Sequence, residues 1–75
     1  MENIEFYKFN RNYYMHNINN GVEGKVIISY GNHGGEVYAY VSHVEFDFEL
    51  DDFTYELYKD YAYDHIDEIL DAREL

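Results

Sequence analysis

The chain has 75 residues, 16 acids against five Lys and Arg, and a formal net charge of −11 at pH 7. That length allows one domain with a small core. That charge opposes direct binding to nucleic acid or to anionic membranes and favours basic partners. The absence of cysteine removes disulfides, thiolate catalysis and zinc–thiolate sites together. The opening MENIEFYKFNRN has no apolar signal-like core, and no run is long enough to cross a membrane, so a soluble, cytoplasmic protein is expected.

In chain order, Ile4 to Phe9 reads as a strand, with Asn10-Arg11-Asn12 as a turn into Tyr13 to Ile18. One long strand or a short helix are the alternatives over the first eighteen residues. Two turn signals follow, Asn19-Asn20-Gly21 and Gly31-Asn32-His33-Gly34-Gly35. Between them, Lys25 to Tyr30 is rich in β-branched residues and predicts a buried strand. Glu36 to Glu49 alternates almost without a break and predicts a long strand, bulged near Ser42, whose second half projects past the sheet. Tyr38, Tyr40, Val44, Phe46, Phe48 and Leu50 fall on one face. Val37, Ala39, Val41, His43, Glu45, Asp47 and Glu49 fall on the other.

The last third predicts a helix capped by Asp51 or Asp52, with no Gly or Pro to interrupt it through Ala72. Tyr55, Tyr58, Tyr61, Ala62, Ile66, Ile69 and Ala72 form its apolar face, with Leu70 at the margin. The expected fold is α+β: an antiparallel meander of three or four strands (residues 1–50) with one C-terminal amphipathic helix (residues 51–75) packed on it, in a single domain.

The charge is unevenly placed. Residues 1–44 carry four acids (Glu2, Glu5, Glu23, Glu36) against Lys8, Arg11 and Lys25. Residues 45–75 carry twelve against Lys59 and Arg73. On the helical wheel Glu56, Asp60, Asp64, Asp67, Glu68, Asp71 and Glu74 fall opposite the apolar face, spaced mostly by three or four residues. As one helix they would form a stripe roughly 27 Å long. Ordinary solvated helix faces interleave Lys with Glu, since like-charged pairs cost ~0.2–0.5 kcal/mol each. About eight such contacts would cost roughly 2–4 kcal/mol before screening. Lys59 and Arg73 lie on the apolar flank of the wheel. Glu45, Asp47 and Glu49 add a second row on the strand. A solvated face on an acid-rich protein is the plain alternative. Regular single negative charges are also what a nucleic-acid strand presents to a basic groove.

In size, in its acid-plus-aromatic composition and in the carboxylate rows of residues 45–75, the chain resembles the small acidic proteins that phages make against host defences. These include DNA-mimic anti-restriction proteins and acidic anti-CRISPR proteins. No short motif is shared, and the near-neutral β half differs from the many mimics that are helical and acidic throughout. The resemblance implies an inhibitor, acting in the host cell cytoplasm, that occupies the nucleic-acid channel of a CRISPR effector or nuclease.

Other chemistries fit less well. Asp47, Glu49 and Asp51 match positions 1, 3 and 5 of a calcium loop, but Asp52 and Tyr58 stand where that loop needs Gly and Glu. His16, His33, His43 and His65 have no zinc-helix spacing, and HExxH is absent. Ser29, Ser42 and Thr54 sit in no nucleophile elbow. Gly31–Gly35 lacks the lysine and following helix of a phosphate loop. Tyr13, Tyr14, Tyr38 and Tyr40 fit sheet packing or a dimer seam better than base stacking, given the charge.

The expected function is therefore a non-enzymatic inhibitor without cofactor or metal, binding a basic nucleic-acid-handling protein. Its contact residues would be Glu45, Asp47, Glu49, Glu56, Asp60, Tyr63, Asp64, Asp67, Glu68 and Asp71. An immunity or antitoxin protein against a basic toxin nuclease is the runner-up. A module that homodimerises through an exposed β-edge is a third reading.

Overall fold

A computed structural model describes residues 3–75, which leaves Glu2 outside the described chain. The elements are β1 (Ile4–Phe9), β2 (Asn12–Asn17), β3 (Glu23–His33), β4 (Glu36–Phe46), α1 (Asp52–Asp64), α2 (Ile66–Leu70) and β5 (Arg73–Glu74). The fold is α+β, with a five-stranded sheet in the order β4-β3-β2-β1-β5. β1 to β4 form an antiparallel meander, and β5 pairs in parallel with β1. The first eighteen residues thus take the two-strand alternative.

Tight turns set the strand register. Asn10 and Arg11 link Phe9 to Asn12 with φ of 49° and 68°, the left-handed pair that a two-residue hairpin requires. Gly34 and Gly35, at 60° and 88°, do the same between His33 and Glu36. The second turn is therefore narrower than Gly31–Gly35, and β3 continues paired through His33. β2 pairs with β3 only over Glu23 to Val26, so beyond Ile27 the β3–β4 hairpin stands as a two-stranded arm.

The core is Met15, Val26, Val41 and Val44 of the sheet against Tyr58, Ala62 and Ile69 of the helices. Ile4, Phe6, Tyr13, Ile28, Phe46, Leu50, Tyr61 and Ile66 close around it. The apolar helix face read from the wheel is the face that packs. Gly24 lets the sheet close over Phe46: a Cβ there would meet the ring at 2.6 Å. Tyr58 ties the layers together. Its hydroxyl accepts hydrogen bonds from Asn17 Nδ2 at 3.1 Å and Asn20 Nδ2 at 3.3 Å, which fixes the β2–β3 turn to α1.

Three expectations are corrected. First, β4 ends at Phe46, opposite Gly24 near the start of β3, where it runs out of pairing partner. Asp47 to Asp51 form the bend into α1 instead of a projecting strand, and Leu50 turns inward onto the core. Second, a bulge does fall at Ser42: Ile27 pairs with His43 and Ile28 with Val41, so Ser42 has no opposite residue. One extra residue reverses the face of everything before it. Ala39 and Val41 therefore share the helix-facing side with Val44 and Phe46, and Tyr38 and Tyr40 face away.

Third, the helix does not run unbroken to Ala72. His65 adopts φ −116°, ψ 30° and separates α1 from α2. Its ring Nδ1 lies 2.7 Å from the Tyr61 carbonyl and donates to it, taking the acceptor that the His65 backbone N–H would use in a regular helix. That N–H bonds Ala62 O instead, at 3.2 Å. The imidazole also stacks on Tyr61 at 4.1 Å between centroids. After α2 the chain extends again. The Leu75 N–H reaches Lys8 O at 2.8 Å, and Glu74 meets Lys8 Nζ at 3.8 Å. The last residues thus belong to the sheet rather than to the helix.

Asp51 is the helix cap. Its carboxylate accepts from Thr54 N at 3.0 Å and from the Thr54 hydroxyl at 2.6 Å. Those two bonds hold the Asp51 carboxyl below its ordinary value, the side-chain bond contributing most. A depressed carboxylate stabilises the fold above the ordinary Asp range, and that contribution is lost as pH falls through the folded-state value. Asp51→Ala should accordingly lower the melting temperature at neutral pH. The gap between variant and parent should close in strong acid, when both are followed by circular dichroism.

Candidate partner-binding surface

α1 places Asp52, Glu56, Asp60 and Asp64 four residues apart along one ridge, about 18 Å from first to last. All four are exposed. Among the described residues, no Lys, Arg or His comes within 4 Å of their carboxylates. The row holds three like-charged i+4 pairs, together about 0.6–1.5 kcal/mol of repulsion. α1 has no basic residue in its last turn, and Asp64 lies at the negative end of the helix dipole. The ridge is arranged against helix stability.

The remaining sites divide into separate places. Asp67 and Glu68 are exposed on α2, and Asp71 closes that helix. The break at His65 puts them on or beyond a separate short helix, so there is no continuous stripe of roughly 27 Å. Asp47 and Glu49 are exposed in the bend that precedes α1, and Asp47 lies near enough to the helix-free face to act on Tyr7. Glu45 does not join it. It lies on the helix-free side of the sheet as the cross-strand partner of Lys25, with His43 Nε2 at 3.8 Å. Glu74 is likewise drawn into β5.

Tyr63 is exposed, as expected of a contact residue, but it leans over the sheet edge. It lines a cavity of about 110 Å³ with Tyr38, Ala39, Tyr40, Val41 and Ile66. The sequence reading missed the apolar residues that do accompany the acids. Phe53 is 74% exposed and Leu57 44%, one turn apart on α1, and Phe48 is 54% exposed in the preceding bend. The wheel already held the signal, since Phe53 and Leu57 lie outside the arc of Tyr58, Ala62 and Ile69. Large apolar groups among carboxylates give a contact surface what charge alone does not supply.

The helix-free face of the sheet is also polar and aromatic. Tyr7 and Tyr14 stack across β1 and β2 with centroids 5.1 Å apart. Burial first, then the Glu23 carboxylate through hydrogen bonding and repulsion, push the Tyr7 phenol well above its ordinary value, so it stays protonated. Among the described residues, no three His, Asp or Glu side chains converge as a metal site would require. Among the described residues, no helix is long and apolar enough to cross a membrane. No protein-family model, curated protein or solved structure matches the chain.

Proposed function

We propose that the chain is a non-enzymatic inhibitor whose acidic α1 ridge occupies the basic groove where a defence enzyme, a CRISPR effector or a nuclease, holds nucleic-acid phosphates. The observation that carries this reading is the row Asp52, Glu56, Asp60 and Asp64, without an ion pair among the described residues and flanked by exposed Phe53 and Leu57. Successive carboxylates rise about 6 Å along the helix axis and offer a regular line of single charges to lysines and arginines already placed for phosphates.

In such a contact the charges set orientation and association rate, while Phe53, Leu57 and Phe48 supply buried apolar area. Asp47 and Glu49 in the preceding bend, and Asp67, Glu68 and Asp71 on and after α2, add exposed negative charge around the ridge without continuing it. The resemblance to acidic phage anti-defence proteins agrees with this reading. An immunity protein against a basic toxin nuclease would use the same ridge, and the identity of the bound enzyme separates the two. The test is reversal of charge on the ridge, read as loss of partner binding by a folded protein.

A further inference from the structure

We infer that a second copy of this chain docks antiparallel on the β4 edge, joining two sheets into one about a two-fold axis near Ala39. This goes beyond the proposed inhibition and rests on different residues. β4 is the last strand on its side of the sheet, and among the described residues no other strand pairs with its outer edge. It is eleven residues long, where edge strands that avoid association are short, charged, bulged or interrupted by proline, and its bulge at Ser42 lies just outside the Val37–Val41 stretch that would pair. Val37 is 70% exposed, and Tyr30 and Tyr38 are more than half exposed on the same arm.

Charge selects the occupant. Residues 27–43 carry Glu36 as their only formal charge at neutral pH, while the whole chain carries −11. Two copies repel one another over the α1 ridge, and the arm is the surface they can share. A basic partner, by contrast, gains nothing electrostatically from this edge.

Shape selects the register. Directly opposed residues in an antiparallel pair point to the same side. With Ala39 on the axis, Tyr38 of each copy stands opposite Tyr40 of the other on the helix-free side, extending the Tyr38–Tyr40 pair already present at 5.9 Å. On the helix side, Val37 of one copy stands opposite Val41 of the other. Val41 lines the cavity beneath Tyr63 and Ile66, so the exposed valine meets a hollow beside that edge. Knob and hollow lie two residues either side of the axis, which is what a self-complementary contact requires.

The experiment is sedimentation of the full chain over a concentration series at about 0.1 M and about 0.5 M salt. Dimerisation that strengthens at the higher salt is expected, because screening relieves repulsion between the two acidic ridges. This is opposite in sign to the salt response of inhibition, so the two proposals fail separately. Val37→Lys and, independently, Tyr63→Lys should each weaken dimerisation by at least about tenfold. Circular dichroism should show both variants folded, and Val37→Lys should bind the inhibited enzyme as the parent does. A parent that stays monomeric throughout overturns the proposal. So does dimerisation by folded variants at the parent's concentration.

Discussion

Reversing Asp60, Asp64 and Asp67 to lysine will abolish binding of the basic partner and leave the fold at least as stable within about 1 kcal/mol. Each reversal adds two charges, so the three move the formal net charge from −11 to −5. The local change is larger in effect, because it places cations where the partner already has them, and like charges brought together in an interface cost several kcal/mol. The fold loses nothing comparable. All three side chains are exposed and make no ion pair within 4 Å among the described residues. A lysine at 60 meets Glu56 one turn earlier, and a lysine at 64 lies at the end of α1 where the dipole favours a cation. Thermal melts and a binding assay on the same preparation check both halves. Full binding by the folded triple variant would end the mimicry account.

The second large effect is on the fold itself. Tyr58→Ala is expected to cost about 3–5 kcal/mol, as removal of a buried ring does. Tyr58 is 2% exposed and packs edge-on against Phe46, with ring centroids 5.4 Å apart. It also anchors Asn17 and Asn20. A small domain has ~5–15 kcal/mol of stability, so this one ring decides whether the sheet keeps its helices. At ~4–8 °C per kcal/mol, the melting temperature should fall by on the order of 20 °C. Tyr58→Phe separates the contributions. It keeps the ring and loses the acceptor, so a drop of only about 0.5–1.5 kcal/mol is expected. Equal losses in the two variants would assign the role to the hydroxyl rather than the ring.

The parts of this fold that were legible in the sequence are those set by local periodicity. The helix face Tyr58-Ala62-Ile69 follows from spacing alone, and it packs as spaced. The two strands of residues 4–17 were one of three open readings, marked by the Asn10-Arg11-Asn12 turn, and the bulge at Ser42 was legible in the alternation of the long strand. The errors came from contacts that periodicity does not encode. The break at His65 depends on one imidazole taking a backbone carbonyl, and no helical wheel records that competition. The end of β4 depends on where β3 begins, which is a property of the partner strand. The bulge was anticipated, but its consequence is a parity change that must be carried along the strand, and Tyr38 and Tyr40 changed sides because of it.

The same reasons divide the candidate surface. Glu56, Asp60 and Asp64 stayed together because one regular helix holds them, and Asp52 extends their row. Asp67, Glu68 and Asp71 were set apart from α1 by the break at His65. Glu45 went to the other side of the sheet because strand neighbours alternate and its own strand ended one residue later. Phe53 and Leu57 were legible as apolar residues off the packed arc. An apolar residue on an acidic face is easily read as incidental until its exposure is known.

The most direct measurement is capture of binding proteins by the tagged chain from host lysate, at about 0.1 M and about 0.5 M salt, with and without competing duplex DNA. The account predicts a basic nucleic-acid enzyme retained at the lower salt, released at the higher, and displaced by DNA. A partner indifferent to both salt and DNA, or no basic partner under either condition, would contradict it and leave the acidic ridge as a solvated face.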